Sequence, residues 1–209
     1  STAVVYKSTA SQKLQEGDSK EPLSPYAHSK LLIEDFLDSL REAEKVSSIS
    51  LRYFNVVGAG GIGLGDNARD NLVPKTLKAL KEGKTPEIYG IDYPTDDGTC
   101  IRDYIHVTDL AEAHVQALDL VQNKKISEKF NVGSGKGYSV KEVMTQIQES
   151  TAIQFSPKIL PRRKGDPAHL VAEIDKIAAD MHWHPRRNLK EMIDSAWLAE
   201  MENVTNEHP

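Results

Sequence analysis

A single cysteine, Cys100, leaves the chain without an internal disulfide, and no Cys/His cluster has zinc-ligand spacing, so neither a disulfide framework nor a metal site is expected. A reducing, cytoplasmic setting fits that usage. Long apolar runs are also lacking. Nothing approaches the ~20 residues needed to cross a bilayer, and there is no charged-then-apolar leader, so no membrane partner is expected. Positive charge is not in excess: 26 Lys and Arg against 31 Asp and Glu give a net −5 and an isoelectric point near 5.8. That balance argues against nucleic acid and leaves a small anionic ligand open. His182 and His184 flank Trp183 and point in different directions on a helix, which suits packing rather than metal binding. Finally, the glycine-rich turn of a dinucleotide site is missing. Gly133-Ser134-Gly135 precedes a helix, but no acid follows the next strand where a ribose would need it.

The 209 residues carry 39% apolar and 27% charged side chains, ordinary globular usage for one good core. Strand and helix signals alternate. Ala3 to Tyr6 reads as a strand, followed by a polar loop to Ser24. Ser24-Pro25 opens a helix along which Leu31, Leu32, Phe36, Leu37 and Leu40 recur at helical spacing. Ser50 to Phe54 reads as a buried strand, and the glycine-dense stretch from Gly58 to Gly65 as irregular. Helices are expected over Leu72 to Leu80, Val107 to Val121 (capped by Thr108 or Asp109) and Val140 to Ser150 (Ser139 and Glu142 forming a capping box). Two more are expected near Asp175 to Trp183 and Leu189 to Met201. Glu87 to Tyr89, Lys129 to Val132 and Phe155 to Leu160 complete the strands. The alternation predicts an α/β fold with parallel sheet.

Tyr26 and Lys30 form Tyr-x-x-x-Lys, which places both side chains on one helix face. An ammonium beside a phenol favours the phenolate, and so makes a tyrosine usable as a base near neutrality. By itself the spacing is equally that of an exposed helix pair.

The surrounding text is more specific. Ser1-Thr2-Ala3, then Ser24-Pro25-Tyr26-Ala27-His28-Ser29-Lys30, then Leu51-Arg52-Tyr53-Phe54-Asn55-Val56-Val57-Gly58-Ala59 resembles the extended short-chain dehydrogenase/reductase family. Tyr89-Gly90, Asp92-Tyr93-Pro94-Thr95, Asp97-Gly98-Thr99, Arg102-Asp103-Tyr104-Ile105-His106-Val107 and Pro161-Arg162-Arg163-Lys164-Gly165-Asp166 resemble, within it, the UDP-glucose 4-epimerases. The resemblance implies the distal part of a Rossmann-like parallel sheet (residues 1–57 and about 97–123) with a small α/β UDP-sugar domain (58–96 and about 124–209). It implies Thr2, Tyr26 and Lys30 as the catalytic set, with Tyr26, Lys30 and Tyr53 against NAD. Asn55, Asn71, Leu72, Arg102 and Arg163 would meet the sugar or diphosphate, Tyr89 the uracil and Asp166 the ribose. Leu170 falls at a gatekeeper position beside the sugar's C2 substituent, where leucine leaves more room than tyrosine.

The activity so implied is interconversion of UDP-glucose and UDP-galactose by transient C4 oxidation, in a protein that is often a homodimer. The glycine-rich NAD segment of the family is absent from this text, which implies a carboxyl-terminal part that is inactive alone. Lys7 and the loop from Ser8 to Lys20 also depart from the family pattern. Another nucleotide-sugar epimerase or dehydratase and a non-catalytic UDP-sugar-binding unit stand as alternatives; against a dehydratase, Thr2 is followed by Ala3-Val4 rather than by an Asp-Glu pair.

Overall fold

The computed structural model describes residues 1–7, 12–43, 46–68, 70–124 and 126–202, with backbone only at 123–124. Part of the loop expected over 8–20 therefore lies outside the described residues. After a short 3-10 turn (Ala3–Val5) come α1 (Pro25–Glu42), β1 (Ile49–Tyr53), β2 (Asn55–Val57), α2 (Leu72–Lys81), β3 (Glu87–Tyr89), β4 (Ile101–His106) and α3 (Val107–Asp119). There follow β5 (Glu128–Val132), β6 (Gly137–Ser139), α4 (Val140–Thr151), β7 (Lys158–Leu160), β8 (His169–Leu170), α5 (Asp175–Met181) and α6 (Leu189–Glu202). The α/β expectation holds: β1 pairs β5, β2 pairs β4, β3 pairs β7 and β4 pairs β8, all parallel, while β6 joins β4 antiparallel.

β4 is the organising strand, and its sequence does not advertise it. Ile-Arg-Asp-Tyr-Ile-His lacks an apolar run, yet from Arg102 to His106 every residue is buried. Its polar side chains are tolerated because each finds partners. Asp103 accepts from the backbone N–H groups of Ser134, Gly135 and Ala172 and from the Ser134 hydroxyl. That carboxylate fills the hollow made by Gly133-Ser134-Gly135, where a Cβ on Gly133 would meet Asp103 Oδ2 at 2.5 Å.

One core gathers Leu51, Ile105, Phe130 and Val132 from the strands with Leu110, Ala113, Ile177 and Trp183 from α3, α5 and the segment after it. A second gathers Val57 and Tyr104 with Leu77 of α2, Ile147 of α4 and Ile193 of α6. Two local expectations are corrected. Ala3 to Val5 is not a strand: Thr2 caps a 3-10 turn through its hydroxyl, and only isolated bridges from Thr2 to Tyr53 and from Tyr6 to Lys20 remain. The cap of α3 is neither Thr108 nor Asp109 but His106, whose Nδ1 accepts from the Thr108 N–H. The Ser139–Glu142 capping box forms as expected, and at the expected start of α1 the Ser24 side chain accepts from the Ala27 N–H.

Candidate functional site

Two adjoining cavities, of about 360 and 980 Å³, share Asn55, Asp70, Asn71, Arg163 and Asp166 in their walls. The smaller is bounded by α2, β3 and β4. Asn71 occupies the cap position of α2, but its side chain does not cap the helix and instead donates to Asp66, so the first amides, from Leu72 on, carry no side-chain cap. Uncapped helix amides favour anions. Lys75, on the same helix, donates to Glu87 Oε2 at 2.8 Å and to the Tyr89 hydroxyl at 2.9 Å. The Arg163 guanidinium lies 4.4 Å from the centroid of the Tyr89 ring.

Arg102 does not pair with its neighbour Asp103; it donates to Asp166 Oδ1 at 2.5 Å and to the carbonyl of Pro167. Tyr93 donates to the other Asp166 oxygen at 3.1 Å, and its phenol is pushed up to about 12 by burial and by the Asp166 charge. The Asn55 side chain hydrogen-bonds the Tyr104 phenol, which burial holds well above its usual range. Four of the charges facing the small cavity are thus paired with one another, Lys75 with Glu87 and Arg102 with Asp166.

The larger cavity runs to the start of α1. Thr2, Tyr26, Tyr53 and Leu170 lie in its wall. Tyr26 sits in the first turn of α1 and is 56% exposed, with Lys30 Nζ 5.4 Å from its ring centroid. Lys30 itself faces a third hollow of about 250 Å³, shared with Ser1, Tyr53 and His114. The Tyr53 hydroxyl meets His114 Nε2 at 2.5 Å, and burial, with Tyr26 nearby, pushes its pKa up. Leu170 is buried among Val5, Tyr6, Leu14 and Phe54 while forming part of the cavity wall.

The residues singled out in the sequence therefore fall along one continuous cleft, apart from Lys30, which stands behind Tyr26. Lys75, Tyr93 and His114 were missed. No motif marks Lys75 or His114; Tyr93 lay inside a quoted block without a role. Residues 1–133 match the NAD dependent epimerase/dehydratase family, more than half of the chain. The chain belongs to that family.

Among members of this family it is 40% identical over 214 aligned residues to the UDP-glucose 4-epimerase of Halalkalibacterium halodurans, covering 100% of this chain and 63% of that protein. It superposes on the UDP-glucose-4-epimerase of Stenotrophomonas maltophila, solved with bound NAD and formylated UDP-arabinopyranose, with a TM-score of 0.93, 32% identity and coverage of 98% and 63%. For the Bifidobacterium longum enzyme in complex with NAD+ and UDP, the TM-score is 0.90 at 35% identity, with coverage of 98% and 63%. The chain spans about three-fifths of the length of the curated relatives it matches. No described helix is long and apolar enough to cross a membrane, and no group of His, Cys, Asp or Glu among the described residues has the arrangement of a metal site.

Proposed function

We propose that the complete protein interconverts UDP-glucose and UDP-galactose through transient oxidation at C4, and that these residues supply the UDP-sugar site and the acid/base. The observation that carries this reading is the single cleft: an uncapped helix start, Arg102 and Arg163 at one end, Thr2 and Tyr26 at the other. Arg suits a diphosphate because its planar fork donates in pairs to phosphate oxygens. In this reading Arg102, Arg163, Asn55 and the amides from Leu72 hold the diphosphate, Tyr89 flanks the uracil and Asp166 accepts from the ribose. Asn71 stands at that helix start. Thr2 hydrogen-bonds O4 of the sugar, and Tyr26, with the Lys30 ammonium 5.4 Å from its ring centroid, takes the O4 proton. Leu170 stands beside the C2 substituent, where its size leaves room for N-acetylhexosamines.

NAD, when bound, would supply the hydride acceptor for C4. Tyr26, Lys30 and Tyr53 suit its nicotinamide-ribose end: an open phenol with an ammonium beside it, flanking the hollow behind. The Gly133-Ser134-Gly135 turn does not suit its pyrophosphate, because Asp103 already takes the Ser134 and Gly135 N–H groups. We therefore expect these 209 residues alone to bind UDP without retaining NAD or turning over. Residues 1–57 and about 97–123 would belong to the NAD side, and 58–96 and about 124–209 to the sugar side, in a cytoplasmic homodimer. In the complete protein, Tyr26→Phe is expected to lower turnover by about 10²-fold or more with UDP-sugar binding unchanged. A loss of less than about tenfold would remove Tyr26 from this role.

A further inference from the structure

We infer that Lys75 reads the edge of the nucleobase, accepting a keto oxygen and rejecting an exocyclic amine; the inference rests on the UDP-sugar reading and on Tyr89 as the ring that flanks the base. The Tyr89 ring is fixed at its phenol end, where the hydroxyl donates to Glu87 Oε2 at 2.8 Å and accepts from Lys75 at 2.9 Å. The Arg163 guanidinium lies 4.4 Å from the ring centroid, and a base laid on that side of the ring takes its place. Lys75 Nζ is 4.8 Å from that same centroid. A base laid on Tyr89 therefore brings an edge within reach of the ammonium.

What that edge must carry follows from the donor inventory. An ammonium has three N–H donors and no acceptor. Among the described residues, two of the three go to Glu87 and Tyr89, leaving one for the ligand. Hydrogen bonds to Glu87, and then to Tyr89, raise the Lys75 pKa above the usual lysine value, so the group stays charged at neutral pH. A carbonyl oxygen completes it. An amine turns hydrogens toward hydrogens and leaves the third N–H of the ammonium without an acceptor on the ligand, which is how a polar site discriminates. Uracil presents a keto oxygen where cytosine presents an amine. Lys75 is partly exposed, so its replacement leaves the core untouched.

Calorimetric titration of the 209-residue chain with UDP and with CDP tests this. The unaltered chain is expected to prefer UDP by about tenfold or more. Lys75→Met, of similar length without the charge, should reduce that preference to about threefold or less, chiefly by weakening UDP, and Lys75→Arg should retain most of it. An unaltered chain that takes both nucleotides alike, a preference unchanged in Lys75→Met, or equal weakening of both nucleotides would each overturn the inference while leaving the UDP site standing. Failure of the unaltered chain to bind UDP at all would overturn the UDP-sugar reading, and this inference with it.

Discussion

Helices α1 and α2 each line part of the cleft, but they are held by different forces. The ten residues of α2 bury Val73, Leu77 and Leu80 in a core with α4 and α6, and Thr76 against Met144 of α4. The eighteen residues of α1 bury only Ala27 and Glu34, and leave Leu32, Ile33 and Phe36 at 63%, 51% and 63% exposure. The deep anchor of α1 is polar. Arg52 of β1 donates from Nε and Nη2 to the two Glu34 oxygens, at 2.9 and 2.5 Å, and from Nη1 to the Tyr6 hydroxyl and the Glu16 carbonyl. Burial alone would raise Glu34, but hydrogen bonds from Arg52 and Ser1 outweigh it and hold the carboxyl below the usual range. Because Glu34 follows Lys30 by one helical turn and Tyr26 by two, this pair also sets the direction in which Tyr26 and Lys30 project. Within these 209 residues, α1 is thus well capped and correctly spaced while its deepest contact is an ion pair and not its apolar stripe.

The largest effect expected from this contrast is that of Glu34→Ala, which leaves Arg52 buried and unpaired at a cost of about 3–5 kcal/mol in denaturant unfolding. Adding Arg52→Met should recover much of it, whereas a cost below about 1 kcal/mol would break the comparison. Next, Leu77→Ala in α2 should cost about 2–5 kcal/mol, and Phe36→Ala in α1 no more than about 0.5 kcal/mol, in the same unfolding assay. Equal costs would mean that α1 is packed after all. The smallest effect is electrostatic. Burial lifts the Asp103 carboxyl to about 6 despite its hydrogen-bond donors. An acid raised in the fold binds protons more readily there than in the unfolded chain, so its contribution to stability grows as pH falls through 6 toward the ordinary Asp value of about 4. The thermal midpoint of the unaltered chain relative to Asp103→Asn should rise over that window. A difference that stays flat from pH 7.5 to 4.5 would remove Asp103 as its source.

Much of this was readable in the sequence where local rules decide. Ser24-Pro25, the Ser139–Glu142 box and the spacing of α2, α4 and α6 give helices at the expected places because caps and periodicity act over a few residues. β4 was not legible, since its buried Arg102, Asp103 and His106 are admitted by partners far along the chain: Asp166, Ser134 and Ser195. The turn at Ala3–Val5 likewise overrides a β-favouring composition because Thr2 can cap it. For the site, the residues of the motif blocks fall along one cleft, but the blocks gave no hint that Arg102 and Asp166 hold each other, or that Lys75 stands at the Tyr89 hydroxyl. Those are pairings across 64 and 14 residues, invisible to spacing.

The most direct test of the account is a calorimetric titration of the 209-residue chain with UDP, beside the same titration of Arg163→Ala. The account predicts saturable binding at one site, weakened in the variant by about 1.5–3 kcal/mol through loss of a charged hydrogen bond, with unchanged thermal stability. Absence of binding, or an affinity that Arg163→Ala leaves untouched, would contradict it.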